Sequence, residues 1–308
     1  MLKEVLDIVG LAEGNIHGED IAAFFRALDT EVHVTPIDTE TGHTDFIKII
    51  IPGTRGKISG GSVPTLGIIG RLGGIGARPE IKGMVSDADG AVTALASALK
   101  LVRMAARGDR LECDVIICTH ICPNAPTQEH YPVPFMGSPV DMLTLNRYEI
   151  DPAMDAIITA DTTKGNIVLN SRGIAITPTV KNGYILPVSN RMLEIMSYVT
   201  GKLPCVLPIS QYDITPYGNN LPHINSILQP AVATEAPVLG LAIVTQSAVP
   251  GCATGASHET DIAEAATFCV EVAKTMKDGT GSFYSAESYE RAALIYGELG
   301  RFRNMPEE

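Results

Sequence analysis

Tryptophan is absent from the 308 residues, aromatic side chains make up only 5%, and 23 basic residues face 35 acidic ones. That shortage of positive charge, a formal net charge of −12, argues against a nucleic-acid binder. Affinity for a phosphate backbone is built from displaced counterions and needs basic surface. The same deficit argues against anionic membrane surfaces. No run of about 18 apolar residues occurs, so no membrane-spanning helix is expected. The opening residues, MLKEVLDIVG, contain neither a long apolar stretch nor a small-residue cleavage site, so no secretory leader is expected. The six cysteines, at 113, 118, 122, 205, 252 and 269, include no CxxC pair. Free, mostly buried thiols in a reducing cytoplasm are the reading that follows. Internal repeats and linker-like stretches are missing too, which leaves residues 1–308 as one α/β domain.

What is present is a large core and a regular alternation of elements. Hydrophobic residues reach 45% and charged ones only 19%. The most informative stretch is 82–107, KGMVSDADGAVTALASALKLVRMAAR. Val92, Leu95, Leu99 and Val102 recur at helical spacing, and alanines fill the positions between them. Asp87 and Asp89 stand at the N-terminal end of this helix. Either they cap it, or they belong to a metal or ligand site at the mouth of an α/β sheet.

Around that helix, IAAFFRAL gives an early amphipathic helix, and EVHVTPI and DFIKIIIPG give a β-hairpin across the turn TETGHTD. Apolar runs at 64–74, 113–118, 155–161, 173–180, 203–210 and 237–245 read as further strands, several of them buried on both faces. Helices are expected at 189–202, after residue 258 and at the C-terminal end. The pattern predicts a three-layer α/β sandwich with a mixed, mostly parallel central sheet. Arg71, His120, Asp161, Gln246 and His258 fall just past strand ends, the edge where ligands bind in open α/β sheets. Cys122 and Cys252 qualify as nucleophiles only if a histidine lies beside them. The glycine-rich GRLGGIGARPE lacks the Lys-Ser/Thr of a phosphate-binding loop.

The segments HGEDIAAFFRAL, FIKIIIPG, VSDADGAVTALASAL, AIITADTT and ATGASHETDIAEA follow an order that resembles the zinc-dependent exopeptidases, the co-catalytic metallo-aminopeptidases and carboxypeptidases, over nearly the whole chain. More closely, the chain resembles an uncharacterised bacterial family with a domain of unknown function. The resemblance implies that Asp87 matches the metal-bridging aspartate, Asp161 a carboxylate ligand and His258 the late histidine ligand. Two motif positions depart from it. Arg71 and Gly73 stand where a strand should end in His-x-Asp, and Cys122-Pro123 falls about where paired glutamates belong. A literal His-x-Asp, His43-Thr44-Asp45, occurs one strand earlier, in the expected hairpin turn.

On this resemblance His120 replaces one metal ligand, Glu129 serves as the general base, and Arg71 and Asp89 bind substrate. Carboxylate oxygen and imidazole nitrogen suit Zn²⁺, and a cation at Arg71 disfavours a second ion. At most one tightly bound zinc is therefore expected. The implied function is a cytoplasmic, metal-dependent hydrolase of peptide-like or N-acyl amide bonds in a small carboxylate-bearing substrate. The competing reading is a non-catalytic ligand-binding or assembly protein of the same fold, and a third is a metal-free enzyme using Arg71 and a cysteine. A homo-oligomer is compatible with the composition, and neither nucleic acid nor membrane is expected as a partner.

Overall fold

The computed structural model of the chain describes residues 1–12, 16–71, 84–123, 125, 127–128, 135–163, 168–246 and 257–300. Helices α1 (Leu2–Leu11) and α2 (Gly18–Arg26) precede a hairpin of β1 (Glu31–Thr39) and β2 (Gly42–Ile51). Next come β3 (Leu66–Gly70), α3 (Asp89–Ala105) and β4 (Val115–Ile121), then the small pair β5 (Thr127–Gln128) and β6 (Phe135–Met136). After α4 (Met142–Glu149) the chain runs through β7 (Ala156–Thr162), β8 (Gly173–Ile176), β9 (Val180–Lys181), β10 (Tyr184–Ile185) and α5 (Asn190–Thr200). Strand β11 (Val238–Val244), α6 (Glu259–Thr275) and α7 (Ala286–Tyr296) complete it.

The main sheet has the order β1-β2-β4-β3-β7-β11-β9-β10, with β8 also paired to β11. Strands β4, β3, β7 and β11 run parallel, while β2 and β8 flank them antiparallel. Residues of β4, β3 and β11 are buried on both faces, which is why their sequences are continuous apolar runs rather than alternations. On one face Ile68, Ile117, Ile158 and Leu241 pack with Ile8, Phe25, Leu99, Ile195 and Phe268 from α1, α2, α3, α5 and α6. On the other face Ile69, Ile116, Ile157 and Val244 meet Leu207, Ile214 and Ile227, and Phe46 packs with Leu145 of α4. The result is the expected mixed α/β sandwich of three layers.

The first turn of helix α3 lies so close to the end of β3 that its backbone approaches the sheet directly. Gly70 of β3 faces the backbone of Gly90 and Ala91, and Ala94 lies beside it. A single 3₁₀ turn, Ser86–Ala88, leads into α3, and its N-cap residue is Ala88, so neither Asp87 nor Asp89 occupies the cap position expected from the sequence.

Two strand expectations change. The hairpin turn is tight, with Thr39 paired to Gly42, so His43, Thr44 and Asp45 are strand residues of β2 rather than turn residues. Residues 203–210 make only an isolated bridge, Ile176 to Val206. Pro204 and Pro208 have no N–H to donate, which keeps that segment out of a ladder. No helix among the described residues is long and apolar enough to cross a membrane.

Candidate functional site

The polar residues singled out in the sequence gather at the C-terminal edge of the parallel strands, in three groups. The first lies under α4. Because Gly70 faces α3, strand alternation turns the next residue, Arg71, to the opposite face. There its Nη1 is 3.0 Å from Met142 Sδ, its Nη2 donates to Asn146 Oδ1, and its Nε lies 3.3 Å from Glu149 Oε2. The other oxygen of Glu149 is 2.6 Å from Nδ1 of His120. Arg71 is 1% exposed, and Glu149 and His120 are wholly buried.

Burial by itself favours the neutral imidazole of His120, but hydrogen bonds to Cys122 and Glu149 reverse that and hold its pKa above the ordinary value. Cys122, two residues on and on the same face, has its Sγ 3.2 Å from Thr44 Oγ1 and is 1% exposed. The histidine required beside Cys122 is thus present, although the thiol is closed off from solvent. Arg71 is engaged by the protein rather than open to a substrate carboxylate, and His120 is committed at Nδ1 to a buried glutamate.

The second group surrounds the end of β7. Asp161 Oδ1 accepts the N–H of Thr162 at 2.7 Å and Oδ2 accepts the Ser226 hydroxyl at 2.9 Å. Burial pushes its carboxyl up to about 6, with Ser226 and the Arg71 charge pulling partly the other way. The Thr162 hydroxyl donates to the carbonyl of Ser86 at 2.6 Å, and the Ser257 hydroxyl to Asp89 Oδ1 at 2.5 Å. Those two bonds tie the end of β7 and the starts of α3 and α6 together. Asp87, Asp89, Asp161 and His258 therefore share one sheet edge, Asp89 being wholly buried and His258 exposed as the N-cap of α6. Glu129 and Cys252 lie outside the described residues.

The third group sits on the helix-α2 side of β2. Strand β2 is antiparallel to β4, so its first residues reach the same edge. His43 and Asp45, two apart on the strand, face one way. His43 Nε2 is 2.9 Å from Asp45 Oδ1, and His43 Nδ1 is 2.7 Å from Asp38 Oδ1. Asp45 Oδ2 accepts the N–H of Gly18 at 2.7 Å and lies 3.5 Å from Nδ1 of His17, the N-cap of α2. Position 18 must be glycine, since an added Cβ would stand 2.5 Å from the Cβ of Asp45. Burial would lower the pKa of His43, but its bonds to Asp38 and Asp45 raise it overall.

Ligand atoms of His17, His43 and Asp45 all lie within 4.8 Å of one another, and among the described residues no other three His, Cys, Asp or Glu side chains meet that condition. Asp87, His120, Asp161 and His258, the set implied by the resemblance, do not form a ligand group of this kind. The charge of Arg71 acts on Asp161, and Nδ1 of His120 is held by Glu149. Among the described residues, the three side chains whose ligand atoms lie close enough together to hold a divalent ion are His17, His43 and Asp45. His17 was not singled out in the sequence. The available signal was the His-x-Asp pair, which strand alternation places on one face, together with a histidine opening the HGED helix.

Residues 35–306 match the model of a family described as a protein of unknown function (DUF1177). No curated protein matches the chain. Solved structures with a similar fold include the bottromycin maturation enzyme BotP in complex with Mn, at 15% identity over 83% of this chain and 65% of that one, with a TM-score of 0.51. Cytosol aminopeptidase from Coxiella burnetii matches at 15% identity over 84% of this chain and 67% of its own, with a TM-score of 0.51. A tomato leucine aminopeptidase mutant matches at 14% identity over 87% and 60%, with a TM-score of 0.52. The chain thus has an aminopeptidase-type fold, and it spans less than two thirds of the length of BotP.

Proposed function

For this chain, which belongs to the DUF1177 family, we propose a metal-dependent hydrolase of amide bonds in small peptide-like substrates, with one divalent ion, zinc by donor type, held by His17, His43 and Asp45. The observation that carries the reading is the convergence of those three ligand atoms within 4.8 Å at the C-terminal sheet edge. Two imidazoles and one carboxylate are the donor set of an open, three-ligand zinc site. When bound, such an ion supplies a Lewis acid that polarises a carbonyl.

The protein's own part is orientation. Asp38 accepts from Nδ1 of His43 and so fixes the tautomer that turns Nε2 toward Asp45. The N–H of Gly18 pins one carboxylate oxygen of Asp45. The side chain of His17 is 56% exposed, which leaves the group open to a substrate from solvent. The aminopeptidase-type fold supports a hydrolytic role in kind, and substrate identity belongs wholly to the proposal.

A second reading, a non-catalytic protein of the same fold, is favoured by one observation: Arg71 and His120 at the family-implied positions are locked into a buried ion-pair network. Elemental analysis of protein purified without chelator separates the two. The proposal expects one zinc per chain, lost in His43→Ala together with amidase activity on aminoacyl and N-acyl anilides. Metal-free protein that fails to take up added zinc overturns it, as does His43→Ala with undiminished zinc.

A further inference from the structure

At the other end of the same edge, where β8 and β11 meet the first turns of α6, a cavity of about 490 Å³ is lined by Arg172, Lys202, Gln246, Thr260, Asp261 and Glu264. Asp261 is 2% exposed, and its buried Oδ2 makes no hydrogen bond. Glu264 stands one helical turn on, on the same face, and its buried Oε2 is likewise without a partner. Bare buried carboxylate oxygens are costly, so two of them in one cavity mark a place prepared for a donor.

The basic residues do not meet that need. Arg172 Nε is 3.7 Å from Asp261 Oδ1, and Lys202 Nζ is 3.8 Å from Glu264 Oε1, both beyond hydrogen-bond length. Their side chains are 62% and 54% exposed, so they stand at the mouth while the inner oxygens stay uncovered. Burial accordingly pushes the Glu264 carboxyl above its ordinary value, and Lys202 offsets this only in part.

We propose that this cavity binds a free α-amino acid as its zwitterion, the ammonium group on Asp261 and Glu264 and the carboxylate on Arg172 and Lys202. An ammonium carries three donors and no acceptor, enough to satisfy both inner oxygens at once. In an α-amino acid the opposite charge is one carbon away, and here acid and base face each other across less than 4 Å. A divalent metal ion is disfavoured, because two cationic side chains share the lining and repel it. Gln246 and Thr260 leave neutral polar groups for the amino-acid side chain. Strand β11 is four places from β2 in the sheet, about 19 Å at the usual strand spacing. The site is therefore separate from the His17–His43–Asp45 group, and the proposal goes beyond the hydrolase reading without resting on it.

The test is isothermal titration of the full chain with L-alanine, L-leucine and L-glutamine, followed by the N-acetyl and amide derivatives of any that bind. At least one free amino acid is expected to bind saturably, with both blocked derivatives weaker by at least tenfold. Asp261→Asn should weaken binding at least tenfold. Because Asp261 is buried, Arg172→Ala, at an exposed position, serves as the second variant and should weaken it several-fold. His43→Ala, which removes the proposed metal ligand, should leave the titration unchanged. The proposal is overturned by no saturable binding of the three, by blocked derivatives that bind as well as the free acid, by an unaffected Arg172→Ala protein, or by loss of binding in His43→Ala.

Discussion

Arg71 Nε lies 3.3 Å from Oε2 of Glu149, with both side chains closed to solvent, just past the end of β3. Glu149 in turn holds His120 through its other oxygen. One carboxylate thus faces a guanidinium and an imidazole at once. The network holds α4 against the sheet.

Glu149→Gln removes the countercharge and leaves Arg71 buried beside a neutral amide. Breaking a buried pair from one side costs about 3–5 kcal/mol. Urea unfolding should show a loss of that size. A change within about 0.5 kcal/mol would mean that the network contributes nothing to folding.

Asp161 governs a pH effect. Its native value of about 6 lies above the ordinary 3.8, so the folded chain holds this proton more tightly than the unfolded chain. The contribution to stability is full below the ordinary value and is lost as pH rises through 6. On the order of 3 kcal/mol is at stake, given 1.36 kcal/mol per pH unit. Asp161→Asn, which keeps an acceptor for Ser226, should be more stable than the wild type at pH 7, and the difference should vanish near pH 4. A difference that does not vary with pH between those limits would rule this out.

Gly90 tests the close approach of α3 to the sheet. A Cβ there would collide with the backbone carbonyls of Arg71 and Ala160, neither of which is a flexible side-chain end. Gly90→Ala should cost about 3 kcal/mol despite the better helix propensity of alanine. Unchanged or higher thermal stability would show that α3 sits further from β3 and β7.

Asp38 is predicted to act on metal affinity through His43. Its side chain is 86% exposed, so Asp38→Asn should fold normally. Loss of an outer-shell carboxylate typically weakens metal binding 10–100-fold. Competition with a chromophoric zinc chelator reads this directly, and unaltered affinity would remove Asp38 from the site.

Much of the architecture was legible along the chain because it depends on local periodicity. The apolar runs of β3, β4, β7 and β11 and the stripe of α3 carry their own signal in residue spacing. So does the end of α5, where Gly201 takes the left-handed conformation at φ 67° that closes the helix. The segment 203–210 misled because its apolar character is that of a strand, while its prolines deny it a ladder.

The candidate metal group was harder to read. His43 and Asp45 were visible as a pair, but placing them in the turn hid the alternation that aims them at His17, which is 26 residues earlier in the sequence. The pairing of Arg71 with Glu149 was invisible for a similar reason. No periodicity links residues 78 apart, and the charge of Glu149 looks like any other on a short helix.

The sequence by itself determined the class of fold, the net acidic charge, and the sheet edge to which the polar residues belong, since each is a sum over local composition or spacing. Only the tertiary structure decided which of those residues meet. Strand order and the face on which each side chain emerges are set by long-range packing, and they turned Arg71 and His120 inward while bringing His17, His43 and Asp45 together.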